Sequence, residues 1–120
     1  MAGARMRRIN EVLREVVGAA ISGELIDPRI GFVTVTAVET SPDLRTAKVY
    51  VSVLGSEEER EATFEGLRSS RGVIQSRIAS ETRMKRTPTL TFHYDDTIAK
   101  GVRISELLED EPEGDAEDAP

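Results

Sequence analysis

The chain has no cysteine, which removes disulfides, thiolate nucleophiles and any zinc site built on sulfur. Its one histidine, His93, has no nucleophile pattern near it, so a histidine-based triad has no evident partners. No apolar run approaches the roughly 20 residues a membrane-spanning helix needs, and Met1–Met6 lacks the apolar centre of a secretory signal, so a soluble cytoplasmic protein is expected. Neither the P-loop nor the dinucleotide-binding glycine pattern occurs. Asp95 and Asp96 are adjacent, so on a strand they point oppositely; capping a following helix accounts for them better than ligating a metal, and no cofactor is expected. Aromatic residues are few. Phe32, Tyr50, Phe64, Phe92 and Tyr94 stand mostly at periodic positions that suggest core, which disfavours recognition by stacking nucleobases on an aromatic sheet.

What is present is a single domain's worth of chain, 120 residues, with a formal charge of −6 that is unevenly spread. Residues 109–120 carry Glu109, Asp110, Glu111, Glu113, Asp115, Glu117 and Asp118 and no base, a balance of −7. With those seven set aside, 15 acids face 16 bases, so the body is at +1. A segment with Pro112, Gly114 and Pro120 and no large apolar residue cannot bury enough surface to offset its ordering entropy. The expected division is a folded domain over 1–108 and a disordered acidic tail over 109–120.

Within the body the apolar period changes in a fixed order. Ile9, Val12, Leu13, Val16, Val17, Ala20, Ile21 and Leu25 recur at spacings of three and four, the mark of an amphipathic helix, which Asp27-Pro28 ends. After Gly31 the period becomes two: Val33, Val35 and Ala37 alternate with Thr34 and Thr36. Ser41-Pro42-Asp43 supplies turn chemistry before a second strand with Ala47, Val49, Val51 and Val53 on one face and Lys48, Tyr50 and Ser52 on the other. One apolar face per strand predicts helices on one side of the sheet only. Ser56 with Glu59 has the form of a capping box and opens a helix through Ala62, Phe64 and Leu67. Ile74 and Ile78 continue a helical face, Pro88 ends it, and Leu90, Phe92 and Tyr94 alternate with Thr91 and His93 as a third strand. Asp95-Asp96-Thr97 could cap a last helix holding Ile98, Val102, Leu107 and Leu108.

Between the second and third strands lies Ser69-Ser70-Arg71-Gly72, where small residues and a glycine predict that one helix stops and another starts. Helix N-termini offer unpaired N–H groups that favour phosphate. From Arg68 to Arg86 six bases (Arg68, Arg71, Arg77, Arg83, Lys85, Arg86) stand against Glu81 alone, a local balance of +5. Ser70, Arg71, Gly72, Arg77, Arg83, Lys85 and Arg86 are therefore candidates for contact with a nucleic-acid backbone, with Arg7, Arg8, Arg45 and Lys48 as secondary candidates. The plain alternative is a solvated basic helix face.

The order helix, strand, strand, helix, kink, helix, strand is the α+β plan of a type II KH-like domain, here followed by a C-terminal helix. The GXXG loop with which ordinary KH domains clamp nucleic acid is absent. Arg7-Arg8-Ile9-Asn10-Glu11, Asp27-Pro28-Arg29, Phe32-Val33-Thr34-Val35-Thr36, Ser41-Pro42-Asp43-Leu44, Ala47-Lys48-Val49-Tyr50-Val51-Ser52-Val53 and Pro88-Thr89-Leu90-Thr91-Phe92-His93-Tyr94-Asp95 together resemble the ribosome-binding factor A family over roughly residues 5–108. In that family an Ala-X-Gly kink replaces the GXXG loop; Ser70-Arg71-Gly72 stands at that place here. The serine is expected to cap the second helix rather than to touch RNA. The resemblance implies a bacterial, non-enzymatic assembly factor. It would bind the 30S subunit and its 16S ribosomal RNA, assist late maturation including 5′-end processing, leave before translation, support growth in the cold, and work as a monomer, with an assembly GTPase as a candidate release partner. The competing reading is a protein-interaction module that uses the basic surface and the acidic tail without touching RNA. A helix-turn-helix DNA binder fits the flanking strands poorly.

Overall fold

The computed structural model describes residues 2–23 and 27–96. Leu25, the expected C-terminal helix and the acidic tail lie outside the described residues. Three helices and three strands follow in the order α1 (Ala2–Gly23), β1 (Phe32–Thr40), β2 (Thr46–Leu54), α2 (Glu57–Ser69), α3 (Arg71–Glu81) and β3 (Thr89–Tyr94). The sheet order is β1-β2-β3, antiparallel between β1 and β2 and parallel between β2 and β3. A parallel neighbour requires a crossover, and α2 with α3 supplies it. The arrangement is the α+β, type II KH-like one that the order of periods predicts.

All three helices pack on one face of the sheet. Leu13, Val16, Val17, Ala20 and Ile21 of α1 meet Val35, Val38, Ala47, Val49, Val51, Val53, Leu90 and Phe92 of the strands, with Phe64, Leu67, Ile74 and Ile78 of α2 and α3 completing the core. Each buried Val, Leu or Ile is worth roughly 1.5–3 kcal/mol before ordering entropy, so this cluster is what holds the layers together. Of the five aromatics only Phe64 and Phe92 are buried. Phe32 is on the outward phase of β1, which is why the expectation that most aromatics lie in the core fails.

The first strand also departs from plain alternation. Its register shifts between Val35 and Ala37, so Ala37 turns outward and Val38 and Thr40 take the inward positions. A bulge inserts one residue and re-aims everything after it. Thr36 is that residue, and its Oγ1 lies 3.2 Å from the Tyr50 carbonyl. Beyond the bulge, Asn10 of α1 accepts from the Thr40 N–H (2.9 Å), which ties the helix to the end of β1.

Local chemistry closes the remaining joints. The capping box of α2 is formed both ways: Glu59 N donates to Ser56 Oγ (3.1 Å) and Ser56 N to Glu59 Oε1 (2.7 Å). In the loop before β1, Arg29 Nε and Nη2 donate to the two carboxylate oxygens of Asp27 (3.0 and 2.7 Å), and Nη2 also donates to Ser69 Oγ (3.1 Å) at the end of α2. These bonds hold the Asp27 carboxyl down at about 2. The same loop lies so close to α2 that a Cβ on Gly66 would be 2.6 Å from Ile30 Cγ1; glycine is required there by space.

Candidate nucleic-acid interface

At the end of the molecule where the β1–β2 hairpin turns, three segments enclose a groove of about 770 Å³. The first turns of α1 contribute Arg5, Arg8, Ile9, Val12 and Leu13, the hairpin contributes Asp43, Leu44 and Arg45, and the α3–β3 loop contributes residues 82–86. Its floor is apolar and its rim carries Arg5, Arg8, Arg45, Arg83, Lys85 and Arg86 against Asp43 alone. Val12, expected in the core by its period, is instead 40% exposed on that floor.

The groove walls are pinned from below. Thr89 N donates to the Arg45 carbonyl (2.9 Å), Leu90 N to Gln75 Oε1 (3.0 Å), and Thr82 Oγ1 to the Ile78 carbonyl (2.8 Å), so hairpin, α3 and β3 hold the cationic loop between them. Asp43 has its carboxylate engaged by Ser41 Oγ (2.7 Å) and the Arg45 N–H (3.1 Å), which pushes its pKa down. It serves the turn more than it neutralises the rim. Leu44 sits at φ 60°, a left-handed conformation uncommon for a bulky residue, and one that clusters at functional sites. Placing arginines at the N-terminal end of α1, which has no acid in its first turn, opposes the helix dipole. Positive potential from helix and side chains therefore accumulates at one wall of the groove.

The kink lies at the other end of α3, about 16 Å away along an 11-residue helix. The break is at Ser70 (φ −94°, ψ 7°), not at Gly72, which lies inside the first turn of α3. Ser70 makes no side-chain capping bond, contrary to expectation. Its N–H donates instead to the Gly66 and Leu67 carbonyls (3.0 and 3.1 Å) and its carbonyl accepts from Ile74 N (3.1 Å), so the backbone bridges the two helices without a hydroxyl cap. A Cβ added at Gly72 would meet nothing within 4 Å. Nothing in the fold requires a glycine there. Arg71 is half-buried, with its Nε enclosed and without a hydrogen-bond partner.

The sequence matches the family described as ribosome-binding factor A over residues 5–108. The chain belongs to that family. A ribosome-binding factor A from Halothermothrix orenii is 46% identical over 117 residues, 95% of this chain and 96% of the relative. The crystal structure of ribosome-binding factor A from Thermus thermophilus is similar with a TM-score of 0.67 at 28% identity, covering 74% of this chain and 94% of the other. A homology model of the Thermus thermophilus factor, as fitted into the cryo-EM map of a 30S–RbfA complex, is similar with a TM-score of 0.61 at 29% identity, covering 72% of this chain and 91% of the other.

Among the candidates, this ribosome-binding factor A fold brings Arg8, Arg45, Arg83, Lys85 and Arg86 into one groove and leaves the others apart. Ser70, Arg71 and Gly72 sit at the kink, Arg77 is ion-paired to Glu81 along α3, and Lys48 lies on the open sheet face, level with Glu39 and Thr91. Arg7 is exposed on α1 and does not line the groove. Sequence reasoning missed Arg5 and the apolar floor. The spacing of Arg5, Arg8, Ile9 and Val12 at three and four was a usable signal, because it puts two bases on the same helix face as two apolar residues.

Proposed function

We propose that the chain is a non-enzymatic assembly factor that binds the free 30S ribosomal subunit and its 16S rRNA in the cytoplasm as a monomer, and assists late maturation and 5′-end processing. Residues 1–108 form the binding domain and 109–120 an acidic appendage. The single observation that carries this is the groove: six cations converge from three separate segments on a pinned, partly apolar trough. Arg5, Arg8, Arg45, Arg83, Lys85 and Arg86 neutralise phosphates along the rim, and the kink at Ser70, Arg71 and Gly72 meets the backbone at a second point. Arg7, Arg77 and Lys48 are subsidiary contacts. Catalysis is not needed: a ligand that binds an immature conformation more tightly than the mature one shifts that equilibrium by its differential affinity. Maturation, or an assembly GTPase acting on the particle, then lowers the affinity and frees the factor. Support for the partner comes from the family and from the relative whose homology model was fitted into the cryo-EM map of a 30S complex.

The test is co-sedimentation with separated small subunits, large subunits and whole ribosomes, comparing the parent with an Arg45→Glu, Lys85→Glu double variant. Selective loss of small-subunit binding with an unchanged circular dichroism spectrum is expected. Equal association with both subunits, or binding indifferent to the double variant, overturns the groove assignment.

A further inference from the structure

The sheet face turned away from the helices suits water along most of its length. Thr34, Glu39, Lys48 and Thr91 line it, and Tyr50 and His93 stack tilted at 5.5 Å between ring centres. One end differs. Phe32 and Leu54 stand directly opposite each other on β1 and β2 and are 79% and 76% exposed. Single exposed apolar residues are ordinary, but two large ones paired across a ladder form a patch that asks for a cover.

The chain itself leaves the sheet beside that patch. β3 runs parallel to β2 with Tyr94 level with Val51, and Asp95 N donates to the Val51 carbonyl (2.8 Å). β2 continues three residues past Val51 and ends at Leu54. Asp95 also accepts from Thr36 Oγ1 (2.5 Å) on β1, so the exit is tied onto the open face and not onto the helix layer. The sequence that follows holds five large apolar residues, Ile98, Val102, Ile104, Leu107 and Leu108; in a helical projection Ile104, Leu107 and Leu108 fall within about 100° of one another, and Ile98 and Val102 within about 40°. Eleven residues in that conformation span about 16 Å, more than the roughly 10 Å from β3 across to β1.

We propose that residues 98–108 dock on the open sheet face and cover Phe32 and Leu54, completing the domain as a three-layer unit at that end. The acidic run from Glu109 onward then starts from a fixed point on the face opposite the helices.

The absence of native cysteine makes the test direct. Leu54→Cys is combined in the full chain with Cys at Ile98, Val102 or Leu108, and Lys48→Cys, about 20 Å along the same strand and face, serves as the control partner. Under mild oxidation, at least one Leu54 pairing should form an intramolecular disulfide ten-fold or more faster than any Lys48 pairing, and the difference should vanish in denaturant. In the unmodified chain, nuclear Overhauser contacts should join the Phe32 ring to methyl groups of residues 98–108. Equal rates for both anchors, together with no such contacts, overturn the proposal. Cross-links formed only between molecules overturn it in favour of a second copy as the cover.

Discussion

Gly72 separates what the fold needs from what binding needs. It has an ordinary helical backbone and open space where a Cβ would go, so Gly72→Ala should stabilise α3 by a few tenths up to about 1 kcal/mol in urea unfolding. If the residue is glycine so that a phosphate backbone can come close, the same change weakens small-subunit association. A more stable variant with undiminished binding would show that the glycine serves neither end. Asp27 makes a second prediction. Its carboxyl titrates near 2 when folded against an ordinary 3.8, first because of the Arg29 side chain and then the Arg29 N–H. A depressed carboxyl contributes its stability above the unfolded value and loses it as pH falls through the folded one. The tie between the β1 loop and the end of α2 should therefore hold at neutral pH and release between about pH 4 and 2, visible as amide-resonance shifts around Ser69 that an Arg29→Met variant lacks. That Arg29 reaches Ser69 could not be read from the sequence. Forty positions separate them, and what brings them together is the close approach of Ile30 to Gly66 with Thr63 Oγ1 accepting from Gly31 N (3.2 Å) and donating to the Arg29 carbonyl (3.3 Å).

At the scale of elements, period and capping were legible because each reports a local force. The capping box at Ser56 and Glu59 and the helical face of Ile74 and Ile78 stand where the sequence places them. The bulge in β1 was not read, although Val33, Val35, Val38 and Thr40 carry its trace as one skipped beat. Strict alternation assigned Ala37 inward, whereas the extra residue at Thr36 sends Val38 there, 6% exposed. The two assignments predict opposite mutational costs. Val38→Ala should lower stability by about 2 kcal/mol, from lost burial plus a residual cavity, and Ala37→Ser should change it by less than about 0.5. Equal costs in urea unfolding would mean the register is wrong. The candidate site was less legible than the fold for the same reason. Arg83, Lys85 and Arg86 form a visible local run, but their convergence with Arg5, Arg8 and Arg45 depends on how α1, the hairpin and the α3–β3 loop meet.

For the whole molecule, net charge is a poor guide to partners, because the charge is sorted by place. The chain sums to −6, yet six cations face one groove, the first turn of α2 holds Glu57, Glu58 and Glu59, and residues 109–120 hold seven acids. If the rim neutralises phosphates, log affinity for the small subunit should fall linearly with log salt, and Arg45→Gln with Lys85→Gln should flatten that slope by about 1.5–2, close to one unit per lost contact. Removing residues 109–120 should leave the slope unchanged and the affinity unchanged or raised, since an acidic appendage adds no phosphate contact. Binding measured between about 50 and 200 mM salt discriminates the readings. A protein-interaction module that relies on the tail loses its partner on truncation and keeps its slope in the double variant, whereas a phosphate-binding groove does the reverse.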